Sequence, residues 1–111
     1  MLLVFWQALI LTIAIETPIY CWFYKARDWR KVVLISILLN AVTLSFVWFI
    51  FYPSISDYAQ FFIAAELYAF AAEAIVFAEL LKKEGWGTAL TASAIANAFS
   101  AGAGLVIGFI L

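Results

Sequence analysis

Four long apolar stretches follow one another along the chain, and they constrain its fold more than any other feature. They extend over about 2–24, 32–52, 60–81 and 88–111, with breaks at 25–31, 53–59 and 82–87. A helix needs roughly 20 apolar residues to cross the hydrocarbon core of a bilayer, and each stretch has about that length. The sequence therefore predicts an all-α bundle of four transmembrane helices in a single domain, with the lipid bilayer as its solvent.

Charge and composition narrow the possible functions. The 111 residues are 68% hydrophobic, carry a net charge of −1 and include no histidine. A nucleic-acid binder needs a basic surface, so no nucleic-acid partner is predicted. Cys21 is the sole cysteine and cannot form an intrachain disulfide. The usual ligands of zinc and haem are too few, so no cofactor is predicted, and whether a metal binds is left open.

The basic residues predict the orientation of the helices. All six lie in the first and third breaks, and the second break has none: Lys25, Arg27, Arg30, Lys31, Lys82 and Lys83. Basic loops stay in the cytoplasm, so both termini are expected on the outer side. A cleavable signal peptide is the alternative for the first stretch, but a basic leading region and a small-residue cleavage site are both missing. We therefore expect a true first span.

The two halves of the chain carry one pattern at an offset of 57 residues. Glu16 matches Glu73 and Asn40 matches Asn97. The other matches are Lys25 with Lys82, Trp29 with Trp86, Ser36 with Ser93, Thr43 with Ser100, and Tyr20 with Phe77. Each half crosses the membrane twice, so copies at about 2–52 and 59–111 would point the same way, related by a pseudo-two-fold axis along the membrane normal. Chance similarity between apolar helices is the alternative.

The repeated polar residues are expected in one layer. At 1.5 Å per residue, Glu16, Asn40, Glu73 and Asn97 each lie roughly 12 to 14 Å from the cytoplasmic end of their own helix. A charge at that depth costs about 2.5 to 3.5 kcal/mol, so these groups should face one another and not lipid. Glu66 lies two helical turns outward from Glu73 on nearly the same face and extends the layer toward the outer side.

This layer predicts the handling of a proton or a cation. Two neighbouring carboxyls in an apolar slab share at least one proton, which they can exchange for a cation, and asparagine amides can coordinate or position them. We expect a carrier or channel for H⁺ or a cationic solute. A structural or assembly subunit, in which the layer only fixes helix packing, is the main alternative. An intramembrane enzyme is a third reading and is not expected, because no nucleophile is paired with a base.

Small residues line the fourth stretch and predict close helix contact there. The residues concerned are Ser93, Ser100, Gly104 and Gly108. The spacing of the two glycines is that of a small-xxx-small contact between helices. This face packs the fourth helix against its repeat mate or joins two copies of the chain. A homo-oligomer, with a dimer favoured, is expected.

Two resemblances accompany these patterns. The Glu16–Asn40-Ala-Val-Thr and Glu73–Asn97-Ala-Phe-Ser hairpins resemble small prokaryotic four-helix membrane proteins with duplicated Glu and Asn-x-x-Ser/Thr helices, a likeness that brings no established activity. The short length, the glutamate in the first helix and the glycine-rich last helix superficially resemble the small multidrug resistance transporters. That resemblance implies proton-coupled export of cationic aromatic compounds by an antiparallel dimer, with Glu16 as the proton-binding carboxyl. The single orientation indicated by the basic loops departs from that pattern.

Overall fold

Residues 5–110 fold into four helices, and the all-α prediction is confirmed. The computed structural model describes the backbone of residues 5–110 and the side chains of residues 5–107. Helix α1 spans Phe5–Phe23, α2 Trp29–Ser54, α3 Tyr58–Leu80 and α4 Gly85–Ile110. No strand occurs within residues 5–110. Residues 2–4 and 111 of the predicted first and fourth stretches lie outside the described residues.

Three segments are long and apolar enough to cross a membrane: Trp29–Ser54, Tyr58–Leu80 and Lys82–Ile107. Helix α1 has 19 residues, which gives about 28 Å at 1.5 Å per residue. Helix α1 is not among the three segments, and its polar residues, Gln7 and Glu16 among them, lower its mean hydropathy. Large apolar side chains cover the outside of all four helices, for example Trp6, Leu38 and Leu67 at 68, 57 and 62% exposure. A bundle with such a surface suits a lipid environment.

The first break is shorter than the sequence predicts, because an N-cap starts α2 early. Oδ1 of Asp28 accepts a hydrogen bond of 3.1 Å from the backbone N–H of Arg30. This satisfies one of the N–H groups left unpaired at a helix start. Helix α2 therefore begins at Trp29 and not at residue 32, and Arg30 and Lys31 lie in its first turn.

The second break is also shorter than predicted, because α2 continues through Pro53. The helix widens into a π turn over Val47–Phe51, in which the N–H of Tyr52 donates to the carbonyl of Val47. The altered hydrogen-bonding pattern accommodates Pro53, which has no backbone N–H to donate. Helix α2 ends at Ser54. Asp57 caps α3 by accepting a hydrogen bond of 2.9 Å from the N–H of Ala59.

The third break is a single 3₁₀ turn over Lys82–Glu84. Gly85 follows with a φ of +83°, a conformation that glycine adopts without a steric penalty. Helix α4 therefore starts at Gly85, three residues before the predicted start at 88. The first and third breaks lie together at one end of the bundle, which we call the basic end.

The half of the bundle nearest the basic end is a closely packed core. Tyr20 stacks on Phe77 with ring centroids 4.1 Å apart, and Tyr24 stacks on the same ring at 5.2 Å. The core comprises Tyr20, Tyr24, Val32, Phe77, Ala78, Leu81, Ala89, Ala92 and Ala96. The alanines of α4 let that helix approach α1 and α3 closely, so the aromatic rings fill the remaining space.

Candidate functional site

A layer of polar side chains lies above the aromatic core, with one contributed by each helix. Glu16 of α1, Asn40 of α2, Glu73 of α3 and Asn97 of α4 all point into the bundle, with exposures of 1, 2, 1 and 6%. The structure thus brings together four of the five residues that the sequence singles out for ion or substrate binding. We call these four residues the polar layer.

Two donors converge on Glu73. The hydroxyl of Tyr20 donates to Oε1 of Glu73 over 2.6 Å, and Nδ2 of Asn97 donates to the same oxygen over 3.3 Å. Tyr20 has no exposed surface. Its role as a donor was not predicted from the sequence, which presents Tyr20 only as the counterpart of Phe77. Its position four residues after Glu16, on the same face of α1, is the signal that could have placed it in the layer.

Glu16 has a different environment. Ser100 donates to Oε2 of Glu16 over 2.5 Å, which joins α4 to α1. The carboxyl of Glu73 and the side chain of Asn40 are neighbours of Glu16. Oε1 of Glu16 is buried and accepts no hydrogen bond from the described residues. The two glutamates, although equivalent in the sequence pattern, are therefore held by different partners.

The asparagines are fixed by their own helices. Nδ2 of Asn40 donates to the carbonyl of Ser36, and Nδ2 of Asn97 donates to the carbonyl of Ser93, both over 2.9 Å. The two hairpins thus use one local geometry, in which an asparagine bonds back to the carbonyl four residues earlier. This contact fixes the amide orientation, because a carbonyl can only accept.

The serines four residues before each asparagine connect the helices of each hairpin. The hydroxyls of Thr17 and Ser36 lie 2.7 Å apart and join α1 to α2. Ser93 donates over 2.8 Å to the carbonyl of Phe70 and joins α4 to α3. Ser93 therefore contributes to helix packing through a hydrogen bond as well as through its small size.

A cavity of about 550 Å³ extends from the polar layer toward the end of the bundle opposite the basic end. All four helices line it, and most of its wall is apolar and aromatic, including Trp48, Tyr58, Phe61, Phe62 and Leu105. The polar layer forms its floor. The cavity reaches Tyr58, the first residue of α3, and Ala8, the fourth residue of α1.

Glu66 lies in the wall of this cavity, two turns from the floor. Its side chain is partly buried, and no hydrogen bond to its carboxyl is found among residues 5–107. The structure therefore places the fifth predicted site residue in the same cavity as the polar layer, but not in the layer itself.

The predicted small face of α4 is divided between two environments. Gly104 lines the cavity, and a Cβ added there would meet no atom within 4 Å, so Gly104 makes no close helix contact in the chain. Ser100 reaches Glu16. The surroundings of Gly108 lie outside the described side chains. The other side of α4 is a shallow exposed groove formed by Ala98, Phe99, Gly102, Ala103, Val106 and Ile107.

An ion pair joins the two hairpins at the basic end. Nε of Arg27 donates to both carboxylate oxygens of Glu84, at 3.1 and 3.2 Å, and its NH2 group lies 3.1 Å from Oε1. Hydrogen bonding to Arg27 lowers the pKa of Glu84, and that contact raises the pKa of Arg27. The pair lies beyond the stacked rings of Tyr20, Phe77 and Tyr24. The basic end is therefore closed by packing and by charge.

Comparison of the chain with protein-family models, curated proteins and solved structures gave no match. Within the described residues there is no group of three or more His, Cys, Asp or Glu side chains that could hold a metal ion.

Proposed function

We propose that the protein is a small membrane carrier that binds H⁺ or a cationic solute between Glu16 and Glu73. One observation carries this proposal: a cavity of about 550 Å³ ends on two adjacent buried carboxyls, while the opposite side of those carboxyls is sealed. A site accessible from one side only is the arrangement expected of a carrier resting in one of its two states. A channel would need a continuous path through the aromatic core.

All four helices span the bilayer in this proposal, and α1 is the fourth span. The buried face of α1 supplies Glu16 and Tyr20 and packs against α2 and α4. A helix that contributes a buried glutamate to the layer belongs at the same depth as its three neighbours. The basic residues then place the basic end in the cytoplasm, with both termini and the mouth of the cavity on the outer side.

The two hairpins are parallel copies in this proposal, and contacts between counterparts support it. Tyr20 stacks on Phe77, 57 positions later, with an interplanar angle of 13°. Arg27 pairs with Glu84, which is again 57 positions later. Glu16 lies beside Glu73 at the same offset. Residues meet their own counterparts when they lie close to a two-fold axis, so three such meetings favour an axis through the centre of the bundle.

The cavity suits a cation that carries apolar surface. Carboxyls at the floor and Glu66 in the wall supply negative charge. The rings of Trp48, Phe61 and Phe62 can contact an apolar body or the face of a cation. Binding of the cation would displace the proton shared by the two glutamates, so that one site serves H⁺ and solute in turn.

The test is proton-coupled flux in liposomes that contain the purified protein and a pH-sensitive dye. Organic cations of increasing size are added, and we expect at least one to drive proton movement in the opposite direction. Glu73→Gln should abolish this flux. Glu79→Gln is the matched control, because Glu79 is exposed and its nearest cation is Lys82 at 3.8 Å. Equal flux in the wild type and Glu73→Gln would contradict the proposal.

A packing role for the same layer is the second candidate. It is favoured by the hydrogen bonds that the layer makes internally, with Asn97 bonded to Glu73 and Ser100 bonded to Glu16. In that case the protein would be an assembly subunit, joined to a second copy or a partner through the exposed groove of α4. Loss of the oligomer in Asn97→Ala and Glu73→Gln, with no flux from any preparation, would favour this role over transport.

A further inference from the structure

We propose that Tyr20 makes the two glutamates inequivalent, so that Glu73 is the permanent carboxylate and the proton of the pair resides on Glu16. This inference rests on the proposed function, since it assigns roles within the same site. The two glutamates occupy equivalent places in the repeated pattern, but the tyrosine of one hairpin is a phenylalanine in the other.

The donors at Glu73 identify it as an acceptor. Nδ2 of Asn97 also donates to the carbonyl of Ser93, so the amide presents its NH₂ group, and not its oxygen, toward Oε1 of Glu73. That oxygen must accept. The hydroxyl of Tyr20 donates to the same oxygen over 2.6 Å, so two donors from different helices meet at one atom of Glu73.

The surroundings of Glu16 identify it as the donor. Its Oε1 is buried without a donor among the described residues, and the carboxyl of Glu73 is its neighbour. Two ionised carboxylates in contact would repel each other, and a buried acceptor without a partner is costly. A proton shared between the two carboxyls removes both penalties with one hydrogen bond. Because Oε1 of Glu73 already accepts from Tyr20 and Asn97, we place that proton on Oε1 of Glu16.

The neighbouring groups strengthen the assignment. The titratable groups that face Glu16 are Glu73 and Glu66 from α3 and Tyr20 from its own helix. Helices α2 and α4 present only neutral groups to it, Asn40 and Ser100. Phe77, the counterpart of Tyr20, has no hydroxyl to offer Glu16. Among the described residues Glu16 accepts a hydrogen bond from Ser100, whereas Oε1 of Glu73 accepts from both Tyr20 and Asn97.

Because the two glutamates differ, each has its own role when a cation binds. When a cation enters the cavity, the O–H bond of Glu16 breaks and its proton leaves to water, while the oxygen keeps the electron pair and becomes a carboxylate. The cation then lies between two carboxylates. Glu73 keeps its charge throughout, because Tyr20 and Asn97 stay bonded to it. Tyr20 is thus a positioning residue that acts through Glu73.

The test is infrared spectroscopy of the C=O stretch of protonated carboxyls in the purified protein at neutral pH. All samples carry Glu66→Gln, so that only the pair can supply a buried signal. We expect the band in this background, its retention in Glu73→Gln and its loss in Glu16→Gln. In Glu16→Gln, the glutamine has the shape of a protonated glutamate, and its NH₂ group can donate a hydrogen bond to Glu73 as the protonated Glu16 does. The reverse pattern, or a band that is present or absent in both variants, would overturn the assignment.

Tyr20 is tested by adding Tyr20→Phe to Glu16→Gln. Without the phenol, Glu73 loses a donor, and we expect the band to return, now from Glu73. A band that stays absent would show that Tyr20 does not hold the charge. If Glu16→Gln does not fold, Phe77→Tyr provides the check. It retains both carboxyls, and in the two-fold arrangement proposed above its hydroxyl would donate to Glu16, so the band should shift, and an unchanged band would refute the proposal.

The infrared readout requires no transport. A clear assignment of the proton to Glu16 with no flux in liposomes would contradict the carrier and leave the assignment standing. Flux that depends on Glu73, combined with a band that follows Glu73, would retain the carrier and overturn the assignment.

Discussion

Adding volume to the two halves of α4 should have opposite effects on stability. Ala92 has no exposed surface and lies in the aromatic core. Gly104 lines the cavity, where an added Cβ meets no atom within 4 Å. Ala92→Leu therefore forces three further carbons into filled space, whereas Gly104→Ala puts one carbon into open space.

The magnitudes follow from these surroundings. Overpacking a filled core costs about 1–3 kcal/mol, so Ala92→Leu should lower the free energy of unfolding by that amount. Replacing a glycine inside a helix by alanine gains about 0.5–1 kcal/mol when no clash occurs, so Gly104→Ala should raise it. The matched control is Ala94→Leu on the exposed face of α4, which adds the same carbons without a clash and should have little effect.

The assay is unfolding of each purified variant in one mixed-detergent system, followed by the loss of helical circular dichroism. Ala92→Leu as stable as Ala94→Leu would show that the basic half is not closely packed. A loss of stability in Gly104→Ala would show that the space beside Gly104 is occupied, either within the chain or by a second copy. Either result would contradict the division of the bundle into a sealed half, which holds the aromatic core, and an open half, which holds the cavity.

Three further predictions concern the ends of the bundle. Arg27→Glu or Glu84→Arg alone should destabilise the protein, and the double exchange should restore most of the loss, as measured by thermal unfolding; no restoration would mean that the pair is not formed. Because Arg27 lowers the pKa of Glu84 from 4.5, the ion pair stabilises fully above about pH 4.5 and is lost as the pH falls through the lowered value; a pH series with Glu84→Gln should lack this step. Asp57→Ala should cost about 0.5–2 kcal/mol of unfolding free energy by removing the N-cap of α3, and an unchanged value would refute the cap.

Much of the architecture follows from the sequence, because the membrane allows few solutions. Long apolar stretches must be helices in lipid, and polar residues at one depth have only each other to face. The four helices and the convergence of Glu16, Asn40, Glu73 and Asn97 could be inferred on those grounds. The helix ends could not, since they depend on the caps at Asp28 and Asp57 and on the π turn before Pro53.

The division into a sealed half and an open half could not be read from the chain. It depends on how three aromatic rings stack with the alanines of α4, and that packing is a property of the assembled bundle. The bond from Tyr20 to Glu73 was missed for a related reason. The repeat pattern treats Tyr20 and Phe77 as equivalent aromatics, whereas the hydroxyl that distinguishes them is the group that contacts the layer.

The most direct test of the central claim is the accessibility of single cysteines to a membrane-impermeant thiol reagent, in a Cys21→Ser background. Ala101→Cys lies in the cavity wall and Ala92→Cys in the aromatic core. Reagent added to the outer side of intact cells should label Ala101→Cys, and neither cells nor inside-out vesicles should show labelling of Ala92→Cys. Labelling of Ala92→Cys, or labelling of Ala101→Cys only from the cytoplasmic side, would contradict a cavity that opens outward and ends on the glutamate pair.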